Sequence, residues 1–275
     1  QWADLAWFEW CDQLLIAATR LPKTCPILCR LHSYEAFSDM PEQVDWSKVD
    51  QIVYVNQSVR ELIGGRIPSS VPTTIIYNGV DLTRFRTPAD KPTTKKIGSV
   101  GYVNYKKNPA LLLYAFKKIH AYNPQYSLHI AGTFQDPRIE LYVANFLKRH
   151  PLPVHFEGWV DDMPAWYRDK QYVISTSLFE SFHYSIAEGM ASGCLPLIHD
   201  WYGADYLYPS RFMFGDPDSC VDLVRECEKA DLSRLRQENR DFIAARYSRD
   251  LTHAKVEQLL AEVLRRTSAL AKCRS

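Results

Sequence analysis

The sequence predicts an α/β protein of two domains, each built on a parallel β-sheet. The chain has 275 residues, close to twice a typical domain of roughly 150. Apolar residues make up 46% and charged residues 24% of it, which is ordinary for a globular protein. After residue 97, short apolar runs alternate with amphipathic segments. Such alternation indicates a parallel sheet covered by helices on both faces.

Composition excludes or disfavours several classes. The sequence contains no stretch of about 18 uninterrupted apolar residues, so no membrane span is predicted. The net charge of +1 gives no basis for neutralising a phosphate backbone, so a nucleic-acid binder is disfavoured. Seven cysteines, an odd number in a chain of this size, indicate reduced thiols and a cytoplasmic location. The chain begins with Gln1 and an acidic stretch, which is untypical of a signal peptide and suggests a fragment of a longer protein.

The first domain is expected over residues 1–86. Apolar residues at helical spacing predict a helix over 3–20, which could pack on a sheet or place its tryptophans on a membrane surface. Further along, a short helix is predicted at 57–64. Three strands are predicted, at 26–32, 51–56 and 74–77.

A polar, proline-containing linker is expected at 87–96, followed by a second domain over 97–235. Its predicted strands are 97–103, 127–131, 154–157, 171–176 and 195–198, and its predicted helices are 109–121, 137–149, 162–168 and 184–192. Asp216 as N-cap and Pro217 as first helical residue begin a helical region. The last of these helices, over 236–275, are expected to pack back toward the first domain.

In an open parallel sheet, ligands bind beyond the carboxyl ends of the strands. Lys107 follows a predicted strand that contains Gly98 and Gly101, and it directly precedes a helix start at Asn108. A cation beside the free N–H groups of a helix start suits a phosphate. A solvated surface lysine is the plain alternative.

Two glutamates flank the start of the helix predicted at 184–192. Glu180 and Glu188 are eight residues apart, about 12 Å along a helix, and ionised carboxylates accept hydrogen bonds from sugar hydroxyls. His32 ends a strand of the first domain, where it could serve a hydroxyl in proton transfer or be structural. Metal sites are disfavoured at Asp216-Pro217-Asp218, which is typical of a helix start, and at Cys25 and Cys29, which have an apolar spacer.

The order of these motifs resembles the group 1 (family 4) glycosyltransferases of the GT-B fold. The resemblance rests on Lys107-Asn108 after a glycine-containing strand and, most strongly, on ESFHYSIAEGMASGCLP at 180–196. It also rests on Tyr77–Asp81, Leu128–Gly132 and Phe156–Val160, and the 180–196 stretch continues to His199–Ala204.

The resemblance implies two Rossmann-like domains, the first incomplete, and retaining transfer of a sugar from a nucleotide-sugar to a glycan or lipid-linked acceptor. No metal or other cofactor is implied. Lys107 would neutralise the diphosphate, Glu180 would face the donor sugar, and Glu188 would bind the ribose. His32 would lie on the acceptor side. The remaining donor-binding positions it implies are Gly101, Gly132, Val160, Ser181, Phe182, His183, Tyr184 and Ser185.

Departures from the family pattern keep alternatives open. Tyr102 stands where the family usually has an arginine, and the usual Glu-Gly-Phe-Gly turn is Glu180-Ser181-Phe182-His183. A catalytically weak nucleotide- or glycan-binding module is therefore the second hypothesis. A sugar-nucleotide epimerase is a third, which the 180–196 stretch opposes. Peripheral contact with the inner face of the membrane, through the tryptophan-rich start or the basic residues Arg265, Arg266, Lys272 and Arg274, stays open.

Overall fold

A computed structural model describes residues 3–272, and the chain forms two compact units. The first comprises the residues up to Gly79 together with those from Arg249 onward. The second runs from Val80 to Ser248. These boundaries differ from the predicted ones, because residues 80–96 and the helix ending at Tyr247 belong to the second unit.

The first unit contains a parallel sheet in the order β1-β2-β3-β4. Its strands are β1 (Ala6–Phe8), β2 (Ile27–Leu31), β3 (Gln51–Tyr54) and β4 (Thr73–Ile75). The helices between them are α1 (Gln13–Arg20), α2 (Ser33–Ala36) and α3 (Gln57–Gly64).

The single helix predicted over 3–20 is wrong. Residues Ala6–Phe8 form β1, which pairs with β2, and helix α1 begins only after Asp12. The Asp12 carboxylate accepts the backbone N–H groups of Leu14 and Leu15 at the start of α1. An N-cap of this kind sets where a helix starts, and the apolar residues before it are used as an edge strand instead.

The second unit contains a six-stranded sheet, all parallel, in the order β10-β9-β8-β5-β6-β7. Its strands are β5 (Lys96–Val100), β6 (Ser127–Ala131), β7 (Val154–Gly158), β8 (Tyr172–Ser175), β9 (Leu195–His199) and β10 (Met213–Phe214). Its helices are α4 (Pro109–Tyr122), α5 (Pro137–Arg149), α6 (Met163–Tyr167), α7 (Tyr184–Ala191), α8 (Ala204–Leu207), α9 (Pro217–Lys229) and α10 (Leu232–Tyr247). The predicted alternation is thus confirmed. Helix α8, the two-residue strand β10 and the short 3-10 helices Tyr105–Lys107 and Ser210–Phe212 were not anticipated.

The core of the second unit lies between the sheet and helices α4 and α9. Ile97, Leu128 and Leu195 on the strands, and Phe116 and Val224 on the helices, are members of one buried cluster. Burying a large apolar side chain contributes about 1.5–3 kcal/mol. This packing keeps the central strands in register and therefore fixes the loops at their carboxyl ends.

The segment predicted as a linker is attached to the second unit. The Lys91 ammonium donates to the carbonyl of Tyr167 at 2.8 Å, and the Thr94 hydroxyl donates to that of Asp169 at 2.8 Å. Helix α10 packs against α7 in the same unit.

The last helix, α11 (Arg249–Lys272), belongs to the first unit, where Leu259 and Val263 pack with Leu28, Val53 and Ile76. Its Arg266 donates to the Asp50 carbonyl at 2.8 Å. Among residues 3–272, no helix is both long enough and apolar enough to span a membrane. The predicted basic residue Arg274 lies outside the described residues.

Candidate functional site

The site lies where the connections of the second sheet diverge. Strands β5 and β8 are neighbours, but from β5 the chain goes first to β6 on its other side. Such a switch point leaves a crevice beyond the carboxyl ends of the two strands, where ligands bind in open α/β sheets. The loops that follow β5 and β8 therefore define the candidate site.

The loop after β5 holds Lys107 between two capped helix starts. Asn104 begins a short 3-10 helix over Tyr105–Lys107, and its side chain accepts the backbone N–H of Lys107 at 3.1 Å. Asn108 follows in the left-handed conformation (φ 48°) and caps α4 by accepting the Leu111 N–H. Both caps restrict the backbone on either side of the lysine.

The loop after β8 is tied directly to this loop. The Thr176 hydroxyl donates to the carbonyl of Lys107 at 2.8 Å and approaches that of Asn108 at 3.2 Å. The backbone N–H of Leu178 donates to the carbonyl of Lys106 at 2.9 Å. Two segments that are distant in sequence are thereby held side by side.

At the centre is the Glu180 carboxylate, whose side chain is only 8% exposed. One of its oxygens, Oε1, lies 2.6 Å from Lys107 Nζ and 3.0 Å from the Ser177 hydroxyl. The other, Oε2, lies 3.0 Å from Lys106 Nζ. Lys107 is therefore no solvated surface lysine, and Glu180 holds both ammonium groups at one place.

The electrostatics of this cluster keep Glu180 ionised. Burial alone would raise the pKa of the Glu180 carboxyl, but the positive charges around it outweigh burial: His183 when protonated, Lys107 and Lys106. The pKa is consequently far below its ordinary value. For His183, burial and then the Lys107 charge lower the pKa to about 3, so this imidazole is neutral near pH 7.

Glu188 has a different environment in the second turn of α7. Burial raises the pKa of its carboxyl to about 7, and the charge of Arg84 offsets only part of that rise. Within the described residues its carboxyl has no hydrogen-bond or ion-pair partner. Glu188 and Glu180 thus differ sharply in charge state although both are acids beside the same helix start.

Two glycines allow the loops after β5 and β6 to approach closely. Gly132 has φ +154°, and a Cβ there would lie 2.0 Å from the Gly101 carbonyl oxygen. At Gly101 (φ +126°), a Cβ would lie 3.0 Å from Lys107 Cε. Val160 follows two residues after β7 and is half-buried.

The segment from Ser181 to Ser185 leads into α7. The hydroxyl of Tyr208 donates to the carbonyls of Phe182 and His183, and the Phe182 ring is buried against Tyr247. Tyr184 is half-exposed, Ser181 is partly buried, and Ser185 bonds to His183 through its hydroxyl. The predicted backbone donors are thus held on a fixed helix start, with the phenylalanine side chain in the core.

His32 lies in the first unit, at the carboxyl end of β2. Its Nε2 is 3.0 Å from Glu9 Oε1, and its ring stacks on Trp10 with centroids 4.1 Å apart. The same Glu9 oxygen lies 3.2 Å from Arg30. Trp10, which the sequence analysis placed on a helix, therefore contacts the predicted site residue His32.

Comparison with known proteins identifies the second unit. Residues 94–227 match the family described as "Glycosyl transferases group 1". This segment is therefore similar to the group 1 glycosyltransferase domains. A curated relative, the lipopolysaccharide core biosynthesis mannosyltransferase LpsB of Rhizobium meliloti (strain 1021), is 26% identical over 148 residues. That match covers 49% of this chain and 42% of the relative, less than half of its length.

Solved structures agree on the GT-B fold. Anabaena Alr3699/HepE in complex with UDP and glucose is similar with a TM-score of 0.80 and 18% identity, over 94% of this chain and 77% of that one. A mutant of S. aureus TarM, solved with UDP, has a TM-score of 0.72 and 18% identity, over 88% of this chain and 51% of that one. Sucrose-phosphate synthase from Thermosynechococcus elongatus has a TM-score of 0.76 and 16% identity, over 94% of this chain and 73% of that one.

Several residues around the candidate site were not predicted. Ser177, Thr176 and Arg84 were not singled out, and the His183 side chain was overlooked in favour of its backbone. The polar run Ser175-Thr176-Ser177 at the end of the buried strand β8 was an available signal, because buried hydroxyls need partners.

The residues at which the sequence analysis disfavoured metal sites have other contacts in the second and first units. Asp216 caps α9 with a reciprocal bond to Ser219, and Asp218 pairs with Lys118 at 2.8 Å. Cys25 and Cys29 are free thiols. In residues 3–272, no group of three or more His, Cys, Asp or Glu side chains is placed to hold a metal ion.

Proposed function

We propose that this domain transfers a sugar from a nucleotide-sugar to a hydroxyl acceptor, with retention of anomeric configuration and without a metal or other cofactor. The observation that carries the proposal is the pair of ammonium groups of Lys106 and Lys107, held on Glu180 beside the start of α7. Breaking the bond between sugar and diphosphate places negative charge on the leaving group. Preorganised cations and helix N–H groups stabilise such charge.

Donor binding follows from the chemistry of each group. Lys107, assisted by Lys106, takes the diphosphate, and backbone N–H groups from Phe182 to Ser185 receive phosphate or sugar oxygens. Gly101 and Gly132 let the diphosphate approach the backbone. A nucleoside diphosphate competes with Glu180 for the lysines, and this competition directs the freed carboxylate toward the donor sugar.

The other predicted residues bind the nucleoside part of the donor and the acceptor. Glu188, when ionised, accepts hydrogen bonds from the two ribose hydroxyls, and the backbone at Val160 lies beside the base. His32 serves the acceptor hydroxyl. We propose a glycan or lipid-linked acceptor, in line with the lipopolysaccharide core activity that the name of the Rhizobium meliloti relative states.

The decisive experiment measures donor binding and turnover on the same preparation. Calorimetry with UDP, GDP, ADP and dTDP sugars identifies the nucleotide, starting with UDP because the Anabaena and S. aureus structures contain it. Mass-detected hydrolysis then tests catalysis, and NMR of the released or transferred sugar gives the anomeric configuration. An inverted product would refute retention. Tight binding without hydrolysis or transfer would favour a binding module, the hypothesis that Tyr102 in the arginine position supports.

A further inference from the structure

His183 combines an uncommon backbone with a buried polar ring. Its φ of 65° lies in the left-handed region, and its side chain is only 3% exposed. Among residues 3–272, Asn108 is the only other non-glycine residue with positive φ. The left-handed conformation costs a residue with a Cβ about 1–2 kcal/mol. Glycine would avoid this cost but would also lose every contact of the buried imidazole.

The ring nitrogens sit within a chain of hydroxyl groups that ends at Glu180. His183 Nδ1 lies 2.8 Å from the Ser185 hydroxyl oxygen, and Nε2 lies 3.3 Å from that of Ser177. The Ser177 hydroxyl in turn lies 3.0 Å from Glu180 Oε1. These groups are buried, where a fully paired polar network restricts the positions of its members.

The charge at the end of the chain fixes the direction of every bond. An ionised carboxylate only accepts, so Ser177 must donate to Glu180. With its proton used, the Ser177 oxygen accepts from His183 Nε2–H. A neutral imidazole carries one N–H, so Nδ1 is the acceptor for the Ser185 hydroxyl.

We propose that His183 is a positioning residue: as the Nε2–H tautomer, it orients the Ser177 hydroxyl toward Glu180 and so fixes the carboxylate that holds Lys106 and Lys107. The tautomer follows from these distances together with an ionised Glu180 and a neutral imidazole. The effect on turnover rests on the proposed transferase function, in which the same lysines stabilise the leaving diphosphate. His183 acts through Glu180 and need not touch the donor.

The tautomer is measured on the unliganded wild-type protein by NMR with ring-¹⁵N-labelled histidine at pH 7. The chain has eight histidines, and the signal of His183 is assigned as the one missing from His183→Gln. We expect a protonated Nε2 and an unprotonated Nδ1. A protonated Nδ1 would overturn the proposal. Because this measurement needs no substrate, it stands even if no transferase activity is found.

Three substitutions separate the positioning role from simple packing. The amide nitrogen of His183→Gln can replace Nε2–H as the donor to Ser177, whereas the amide of His183→Asn is too short and reaches only the Nδ1 position. His183→Gly removes the ring and relieves the backbone. We expect kcat to fall about ten- to a hundred-fold in the Gly and Asn variants, with a smaller change in donor KM, and to be largely recovered in the Gln variant.

The matched control is His253→Gln on the exposed surface of α11, for which kcat should equal that of the wild type. Wild-type kcat in His183→Gly, or equal losses in the Gln and Asn variants, would refute the positioning role. Thermal unfolding of each variant reports folding independently. If the wild-type protein neither binds nor turns over any donor, the proposed function fails while the tautomer result remains interpretable.

Discussion

Thr176 donates its hydroxyl hydrogen to the main-chain carbonyl of Lys107 at 2.8 Å, so the loop that leads from β8 to Glu180 also holds the loop that carries the lysine. The relative position of the two charged side chains is thus set by backbone contacts as well as by their own ion pair. Thr176 itself points to main chain and not into the charged cluster.

Thr176→Val should weaken this attachment while nearly preserving side-chain volume. A lost intramolecular hydrogen bond typically costs about 1 kcal/mol, and we expect that loss in the free energy of unfolding by urea. We also expect kcat for donor hydrolysis to fall about tenfold, because small misplacements of catalytic groups are costly. Val221→Thr, a change of the same two residue types in the core away from the site, should lower stability with wild-type kcat per folded molecule. Unchanged kcat in Thr176→Val would contradict a role for this contact in turnover.

Lys107→Met should have a much larger effect on turnover. Removing one preorganised group that stabilises developing charge typically lowers kcat by about 100- to 1,000-fold. Lys106→Met should cost less, because the Lys106 side chain is more exposed and its contact with Glu180 is longer, 3.0 Å against 2.6 Å.

The control for both lysine variants is Lys118→Met, which removes an exposed ion pair with Asp218. Exposed pairs of this kind contribute about 0–1 kcal/mol, so neither rate nor stability should change much. Steady-state kinetics of the three variants with one donor would settle the order. If Lys106→Met lowered kcat as much as Lys107→Met, the larger contribution assigned to Lys107 would be contradicted.

Glu188 should make donor binding depend on pH near neutrality. Its pKa is raised to about 7 chiefly by burial, and the ionised form accepts hydrogen bonds from the ribose hydroxyls more strongly than the protonated form does. Affinity for a nucleotide-sugar should therefore increase as pH rises from about 6 to about 8, the range over which a group of this pKa ionises.

Glu188→Gln is the matched variant for this pH test. It should bind more weakly at the upper end of that range and lose most of the pH dependence, because the amide does not titrate. Calorimetry with an intact nucleotide-sugar is preferable, since its diphosphate is esterified at both ends and has no proton that titrates near pH 7. A pH profile that persists in Glu188→Gln would assign the titration to another group.

Gly132→Ala and Gly158→Ala test the close approach of the loops. A Cβ at Gly132 would lie 2.0 Å from the Gly101 carbonyl oxygen, whereas one at Gly158 would meet nothing within 4 Å. Both glycines have positive φ, so each substitution carries a backbone cost of about 1–2 kcal/mol. Only Gly132→Ala adds a backbone clash, and we expect it to lose more than about 4 kcal/mol or to fail to fold. Similar urea midpoints for the two variants would show that the loops can separate.

His32→Gln should separate acceptor transfer from donor chemistry. We expect transfer to an acceptor to fall about 100-fold, in the usual range for a group that assists proton transfer. Donor affinity should be unchanged, because the predicted donor-binding residues lie in the second unit. Parallel assays of transfer and calorimetric affinity test this, and an equal loss in both would place His32 with the donor.

Sequence reasoning was strongest for the second sheet. The strand at 127–131 and the helix at 137–149 were predicted with the bounds observed. In the structure Asp136 caps this helix and Pro137 is its first residue, so the signals for its start are local. It failed at residues 3–20, where helical spacing continued across the Asp12 cap. Pairing of β1 with β2 depends on a partner about twenty residues away, which local periodicity does not contain.

For the site, sequence alone predicted three candidate residues: Lys107, Glu180 and Glu188 were singled out by residue type and by position at predicted strand-to-helix turns. Only the tertiary structure decided that β5 and β8 are neighbours, which joins Lys107 to Glu180. It also decided that Glu188 is half-buried with a raised pKa and that His183 is buried and neutral. The physical reason is that charge state and hydrogen-bond direction depend on burial and on nearby charges, and both are set by segments distant in the chain.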